Sequence, residues 1–375
     1  MSVIRPEVQS LPRYKPVVKG KKQLVGADGK RIARLNANEG PWPPFPEVVA
    51  AMEQAVREGN WYPDLSFYEV KEALSKLHGV DISRIVVGSG SAPIIRLLML
   101  VTIRPGEDVL VPWPPYPAHG VGAHLHGGVV VKVPLDTDGA CDMDGLLARV
   151  TDRTRVALIC TPHNPTGSVV SRRAFEEYLA RVPDHVVTVL DQAYQEFVTD
   201  SDAVDGRAYL DAPKPLVVFR TLSKVYGLAG VRSGYALATA EVAEAMNKSN
   251  ETFAMSQIAV AATLAGLTRQ DLVQERVAII AAERAKLHRV CDALGLAHTP
   301  SQANFVWVDT RRDSKAVSDA CLKRGFMIRS GDVHDAPQHV RVTIGRPEEN
   351  DGFIAAFSAA LQEVPETTAA LAPAK

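Results

Sequence analysis

The chain lacks the cysteine spacing of a metal site and the charge imbalance of a polyanion-binding protein. Its 375 residues include four cysteines, Cys141, Cys160, Cys291 and Cys321, none of which form a CxxC pair. Lysine and arginine total 42 and aspartate and glutamate total 43, so the formal net charge is -1. We therefore expect neither a zinc centre, nor a disulfide framework, nor a nucleic-acid partner. A small anion would have to be bound by a local pocket.

Long apolar runs are also absent. No stretch approaches the roughly 20 residues that span a bilayer, and the N-terminal stretch MSVIRPEVQSLPRYK lacks the apolar core of a secretion signal. With 46% hydrophobic and 23% charged residues, the composition is typical of a globular protein. We expect a cytoplasmic protein without a membrane partner.

Short β-branched runs alternate with amphipathic segments from about residue 84 onward. The runs RIVVG, DVLVP, VVVKV, RVALIC, VVTVLD and PLVVFR are apolar on both faces, as are strands buried within a parallel sheet. Helical patterns such as IIRLLMLVT and RRAFEEYLARV lie between them. This alternation predicts an α/β fold with helices around a mainly parallel sheet.

The pattern changes near residues 250–268. A long helical stretch, DLVQERVAIIAAERAKLHRVCDALG, ends at Gly295 and is followed by the strand patterns NFVWVD and HVRVTI. We predict that residues 1–35 form an N-terminal arm or part of the small domain, residues 36–255 a large domain, and residues 256–375 a smaller α+β domain.

The residues that follow each predicted strand are candidate site residues, because ligands bind at the carboxyl ends of strands in open parallel sheets. RIVVG is followed by SGSAP, where Ser91 suits a helix N-cap and Gly90 would let backbone N–H groups approach an anion. An ordinary tight turn is the alternative. RVALIC is followed by TPHNPTG, where Asn164 either points its amide at a ligand or belongs to a plain loop. The Asn164–Pro165 bond is a candidate for the cis form.

Two further strand ends carry ionisable side chains. VVTVLD ends at Asp191, which is either a paired buried carboxylate or a helix N-cap, and Tyr194 follows three residues later. PLVVFR is followed by TLSKVYGLAGVRSGY, in which Lys224 lies at the strand end and Arg232 lies beyond a glycine-rich turn. Lys224 taken alone could be a solvated loop residue, but the other strand ends argue against that interpretation.

One cofactor needs all of these groups at once. A phosphate needs N–H and hydroxyl donors and a guanidinium, a pyridinium nitrogen needs a carboxylate, and an aldehyde needs an amine. Pyridoxal phosphate combines the three. Burial and a nearby cation lower the pKa of a lysine and so supply neutral amine. The strand ends therefore predict a pyridoxal-phosphate site around Lys224.

The motifs around these positions resemble those of a known family. LNANEGP, WYPD, GSGS, PPYP, TPHNPTG, DQAY, SKVYGLAGVRSGY and HVRVTIGRPEEN match the fold-type I pyridoxal-phosphate aminotransferases of class I/II, and the chain is most similar to the histidinol-phosphate aminotransferases. The resemblance covers almost the whole chain. It implies a large domain with a mainly parallel, seven-stranded sheet and a smaller α+β C-terminal domain. It also implies ping-pong transfer of an amino group between an amino acid or amino phosphate and a 2-oxo acid such as 2-oxoglutarate.

The resemblance implies a role for each strand-end residue. Lys224 would form an aldimine with the cofactor and move the proton during catalysis, and Asp191 would pair with the pyridinium nitrogen. Asn164 and Tyr194 would bond the ring oxygen. Tyr116 would stack on the ring, unless it is only a turn residue. The phosphate would be held by Ser89, Gly90, Ser91, Thr221 or Ser223, and Arg232.

Other matched residues would complete the site. Tyr62 matches a tyrosine that reaches the cofactor phosphate of a neighbouring subunit, which implies a homodimer with shared active sites. Arg341 matches the arginine that binds the acidic end of the substrate. Arg329 and Tyr14 match contacts to a phosphorylated substrate, with a surface ion pair as the alternative for Arg329.

Several positions depart from the family pattern. Gln192 stands where an acidic residue is common, Ala92 and Pro93 follow the phosphate turn in place of acidic residues, His163 replaces a frequent asparagine, and Trp42 stands where a tyrosine or similar residue is usual. The segment NETFAMSQIA also lacks a PFNV-type stretch. We expect these positions to lie where the substrate is selected, so the substrate stays open.

Three other functions fit parts of the pattern. The same cofactor and fold could serve decarboxylation, elimination, cyclisation or oxidation of an amino acid, because substrate orientation decides which bond breaks. The intact Lys224, Asp191, Asn164 and Arg232 argue against a catalytically silent sensing domain. A nicotinamide-dependent enzyme is disfavoured because no strand is followed by GxGxxG.

Overall fold

The computed structural model describes residues 3–4, 6–9, 11, 25, 29 and 31–367. Tyr14 lies outside these residues. The strands are β1 Ala33–Leu35, β2 Ile85–Gly88, β3 Asp108–Trp113, β4 Val129–Pro134, β5 Thr154–Cys160, β6 Val187–Asp191, β7 Leu216–Thr221, β8 Gly234–Ala238, β9 Phe305–Asp309, β10 Phe326–Ser330 and β11 His339–Thr343.

Helices surround these strands. They are α1 Pro6–Gln9, α2 Pro46–Arg57, α3 Tyr68–His78, α4 Ser91–Thr102, α5 Pro117–Leu125, α6 Met143–Leu147, α7 Arg172–Arg181, α8 Ala240–Ser249, α9 Gln257–Leu267, α10 Gln270–Ala293, α11 Ser314–Lys323 and α12 Pro347–Glu363. Among the described residues, no helix combines the length and the apolar character that a bilayer span requires.

The larger sheet has seven strands in the order β2-β8-β7-β6-β5-β3-β4. β8 pairs antiparallel with both β2 and β7, and the other pairs are parallel. The sequence pattern predicts six of these strands. It misses β8, GYALA, because small residues dilute the β-branched signal on which the prediction depends. The predicted α/β architecture is confirmed.

Strand β4 differs from its predicted environment. VVVKV was expected to be buried on both faces, but within β4 only Val133 is fully buried and Val129 is half exposed. β4 is the last strand of the sheet, so β3 covers one of its edges and the other faces outward. Periodicity cannot distinguish an edge strand from a central one.

A second sheet of four strands has the order β1-β10-β11-β9. β1 comes from the N-terminal part of the chain and pairs in parallel with β10, whereas β10, β11 and β9 pair antiparallel. α9 packs on α2 and α3, and α10 continues from there to β9 and α12. The domain boundaries given above, including the one at residue 255, stay a prediction.

Two local predictions are corrected by the structure. Helix α4 begins at Ser91 with Gly90 as its N-cap, because the chain passes through φ 93° and ψ 168° at Gly90, where a side chain would be strained. Ser91 is therefore the first residue of the helix and not its cap. The cis peptide bonds found in the described residues are Trp113–Pro114 and Thr161–Pro162, so the Asn164–Pro165 bond is trans.

Candidate active site

A cavity of about 220 Å³ lies at the carboxyl ends of β5, β6 and β7. The parallel register pairs Cys160 with Asp191 and Asp191 with Phe219, so these strands end side by side. Nine of the predicted site residues line the cavity: Ser91, Tyr116, Asn164, Asp191, Tyr194, Thr221, Ser223, Lys224 and Arg232. The strand-end argument therefore brought together residues that are up to 141 positions apart (91 to 232).

Lys224 follows β7 after two residues and contributes its amine to the cavity. The pKa of this amine is lowered from 10.5 to about 8, mainly by burial and then by the Arg341 guanidinium, against the opposing effect of the Glu39 and Asp191 carboxylates. Nζ lies 5.2 Å from the centre of the Tyr194 ring. A substantial fraction of the amine is therefore neutral near pH 8.

Asp191 is buried at the end of β6 and is held from two sides. Its Oδ2 lies 2.8 Å from Nε2 of His119, and its Oδ1 accepts a hydrogen bond of 3.2 Å from the backbone N–H of Ala193. His119 is fully buried. The N-cap interpretation of Asp191 is wrong, since the next helical turn begins at Gln195 with Tyr194 as its N-cap.

Two side-chain amides donate hydrogen bonds to the Tyr194 hydroxyl. The hydroxyl oxygen accepts hydrogen bonds from Nδ2 of Asn38 at 3.0 Å and from Nδ2 of Asn164 at 3.3 Å. Burial raises the pKa of Tyr194, so its hydroxyl keeps its proton. Arg341 in turn donates from Nη1 to Oδ1 of Asn164 and from Nη2 to the carbonyl of Asn36 at 3.0 Å. This network fixes the orientation of the Asn164 amide at the cavity wall.

The N-terminus of α4 and Arg232 form a cradle suited to an anion. Nη2 of Arg232 donates to the Ser89 carbonyl at 3.2 Å and Nη1 donates to the Ala229 carbonyl at 2.9 Å. A Cβ at Gly90 would lie 2.3 Å from Nη2 of Arg232, and φ 93° would strain any other residue at this position. Arg232 itself has φ 67°, a strained backbone conformation that places its guanidinium under the helix terminus.

The donor set of the cavity fits pyridoxal phosphate. Beside the guanidinium, the cradle offers the hydroxyls of Thr221 and Ser223, which lie 2.9 Å apart, and the helix terminus at Ser91. The carboxylate of Asp191 and the amine of Lys224 meet the other two needs of the cofactor, at its ring nitrogen and its aldehyde. Anion donors, a carboxylate and an amine of lowered pKa thus occur in one cavity.

Five described residues of the predicted set lie outside this cavity lining: Ser89, Gly90, Tyr62, Arg329 and Arg341. The Ser89 hydroxyl donates to the Ala254 carbonyl at 2.6 Å, and Tyr62 is 78% exposed with its ring stacked 4.1 Å from that of Phe253. Arg329 is half-buried and is the cross-strand neighbour of Arg341. Their roles stay predictions.

The departures from the family pattern do not all line this cavity, and their role in substrate selection stays a prediction. Gln192 is fully buried and its amide bonds Val204, Gly206 and Arg220. Among the described departure positions, Ala92 is the one that lines the cavity.

Sequence reasoning missed His119, Asn38 and Glu39. Asn38 and Glu39 belong to the quoted motif LNANEGP, but nothing in its residue types assigns them a partner. Asn38 has φ 54°, which turns its amide toward Tyr194. His119 bonds a residue 72 positions away, so only the folded chain reveals that contact.

Comparisons with known proteins agree with this geometry. The model of the family "aminotransferase class I and II" matches residues 30–357. The chain is 37% identical to an aromatic amino acid aminotransferase of Streptomyces coelicolor, over 94% of this chain and 95% of that protein. It is 34% identical to a histidinol-phosphate aminotransferase of Moorella thermoacetica, over 93% and 91% of the two chains.

A solved structure has the same fold. Histidinol-phosphate aminotransferase from Sinorhizobium meliloti, in complex with pyridoxal-5'-phosphate, superposes with a TM-score of 0.87 at 31% identity, over 97% of this chain and 98% of that one. The resemblance and the fold class inferred from the sequence are confirmed. The chain belongs to the aminotransferase class I and II family.

Proposed function

We propose that this aminotransferase moves an amino group between an amino acid with a ring-bearing side chain and a 2-oxo acid, in a ping-pong reaction at the Lys224 amine. The observation that carries the proposal is the Lys224 amine, with its pKa lowered to about 8, in one cavity with Asp191 and Arg232. The names of the similar proteins, which specify aromatic amino acids and histidinol phosphate, support a ring-bearing substrate.

Pyridoxal phosphate is the cofactor, and when bound it supplies an aldehyde and a ring that withdraws electrons from the substrate. We assign Ser91, Thr221, Ser223 and Arg232 to its phosphate. The carboxylate of Asp191 would keep the ring nitrogen protonated, and the amides and hydroxyl around Tyr194 would bond the ring oxygen.

Lys224 would take and return a proton at Nζ. A general base works best when its pKa lies near the operating pH, and the lowered pKa of Lys224, about 8, meets that condition. Arg341, whose guanidinium bonds Asn164 and Asn36, would bind the substrate carboxylate. Arg329, beside Arg341 in the sheet, would bind a phosphate if the substrate carries one.

Transamination is the reaction supported by the comparisons. The similar proteins reported above are all named aminotransferases, and none of these names supports decarboxylation, elimination, cyclisation or oxidation. These alternatives are therefore not proposed.

We also propose a homodimer. Trp61, Tyr62, Leu65 and Tyr68 are all more than half exposed around the WYPD motif, and a second copy of the chain would cover these apolar side chains. Tyr62 would then reach the phosphate of the partner's cofactor. Light scattering tests the homodimer. The cofactor affinity of Tyr62→Phe tests the contact of Tyr62 with the phosphate of the partner's cofactor. A cytoplasmic location stays a proposal, for which cell fractionation is the test.

The amine of Lys224 gives the function a direct test. The purified protein should absorb visible light, borohydride should bleach that absorbance, and Lys224→Ala should lack it. Adding aromatic amino acids or histidinol phosphate should convert the spectrum and release the matching oxo compound. A colourless protein, or ammonia or carbon dioxide released without that spectral change, would refute the proposal.

A further inference from the structure

Two backbone segments are packed against each other beside Lys224. We call residues 39–45 the glycine loop and residues 224–227 the lysine turn. A Cβ added to Gly40 would lie 2.5 Å from the carbonyl oxygen of Lys224, and one added to Gly227 would lie 3.0 Å from the carbonyl oxygen of Trp42. The segments touch through their backbones, so neither can shift without the other.

Arg276 of helix α10 joins the two segments. Its Nη1 donates to the carbonyl of Val225 in the lysine turn at 3.1 Å, and its Nη2 donates to the carbonyl of Pro43 in the glycine loop at 2.7 Å. The guanidinium also lies 4.0 Å from the ring centre of Phe45 and 5.7 Å from that of Trp42. One planar group thus bonds both segments, and a lysine could not reproduce this fork.

The spacing of these segments matters because the glycine loop begins with Glu39, whose carboxylate lines the cavity. Glu39 raises the pKa of Lys224, as Asp191 does, whereas Arg341 and Arg232 lower it. Glu39 is itself held by Arg34 at 2.7 Å. Charge interactions weaken with distance, so a looser junction would reduce the influence of Glu39 on the amine.

We propose that Arg276 is a positioning residue for the reaction: it fixes the lysine turn against the glycine loop and so fixes the Lys224 amine relative to the Glu39 carboxylate. The inference rests on the function proposed above. Within the described chain Arg276 lies outside the cavity lining, so it acts through Lys224. It also accounts for Trp42, a departure from the family pattern, as a ring beside the guanidinium.

The test compares Arg276→Lys with Arg284→Lys in the holoenzyme. Arg284 lies on the same helix, burial lowers its pKa to about 10 as it does that of Arg276, and it donates to the carbonyls of Phe197 and Ala303 at 3.1 and 3.0 Å, away from both segments. We expect the visible absorbance of the holoenzyme to change as the pH is varied. Arg276→Lys should lower the pH at the midpoint of that change by about 0.5 unit. We also expect it to lower kcat about 10-fold with a smaller change in KM. Arg284→Lys should lower Tm and leave the midpoint and kcat unchanged.

A double variant sharpens the test. Glu39→Gln removes the carboxylate, so it should lower the midpoint by itself, and Arg276→Lys in that background should lower it no further. If Arg276→Lys does not fold, Trp42→Leu takes its place, with a smaller shift in the same direction. A lower Tm with wild-type midpoint and kcat, or additive shifts in the double variant, would overturn the positioning role. A wild-type protein without the visible band would instead refute the proposed function.

Discussion

The cavity has two walls that are held in different ways. On the wall built from the large sheet, Asp191 and Tyr194 are buried and each is fixed by at least two hydrogen bonds. Another part of the lining is Glu39, whose ion pair with Arg34 is about one-third exposed, and Arg329, which lies outside the lining, is half-buried. A fixed wall suits a cofactor that stays bound through every cycle. A looser wall suits two amino substrates that must enter the same cavity in turn.

The largest predicted effect is on the fixed wall. Asp191→Asn should lower kcat about 1,000-fold, because an amide cannot hold the ring nitrogen in its protonated form. Asp108→Asn is the matched control, since Asp108 is also a buried strand aspartate but lies at the start of β3 and bonds Thr151 and Arg153. It should cost stability and not kcat. Equal losses of kcat in both variants would contradict the comparison of the two walls.

A smaller effect is predicted for two arginines of the second sheet, which lie outside the cavity lining. Arg341→Gln should raise KM for all amino substrates about 100-fold, since a charged hydrogen-bonding partner of the carboxylate is lost. Arg329→Gln should raise KM only for a phosphorylated substrate. Steady-state kinetics with an aromatic amino acid and with histidinol phosphate would separate the two. An equal effect of Arg329→Gln on both substrates would show that the two arginines share one task.

The partner of Asp191 should have a lesser role. His119→Leu is expected to lower kcat about 10-fold, because Asp191 keeps its bond to Ala193 but loses the one to the His119 Nε2. The midpoint of the visible absorbance change should move as well, which loss of packing alone would not cause. An unchanged midpoint together with a lower Tm would show that His119 has only a structural role.

The pH dependence of cofactor capture follows from Lys224. With a pKa of about 8, about a tenth of its amine is neutral at pH 7, and that fraction rises with pH until it levels off above about pH 9. The rate at which the apoenzyme develops its visible band should follow the same curve. Glu39→Gln should shift the curve to lower pH, since Glu39 raises the pKa. A pH-independent rate would show that another step limits capture.

The two walls also differ in how far the sequence predicts them. The residues of the fixed wall follow predicted strands, and parallel strands end at one edge, so Asn164, Asp191 and Lys224 could be assembled from their positions alone. Contacts between segments that are far apart in the chain leave no comparable pattern in the sequence. The bond from His119 to Asp191 and the two bonds of Arg276 join segments far apart in the chain. The edge position of β4 was missed for the same reason, whereas β8 was missed because its small residues dilute the β-branched signal.

The central claim is that Lys224 is the amine that binds the cofactor on the fixed wall. Its most direct test is borohydride reduction of the holoenzyme, followed by digestion and mass mapping of the peptides. The account predicts one reduced cofactor attached to the peptide that contains Lys224. A label on another lysine, or a protein that takes up no label, would contradict it.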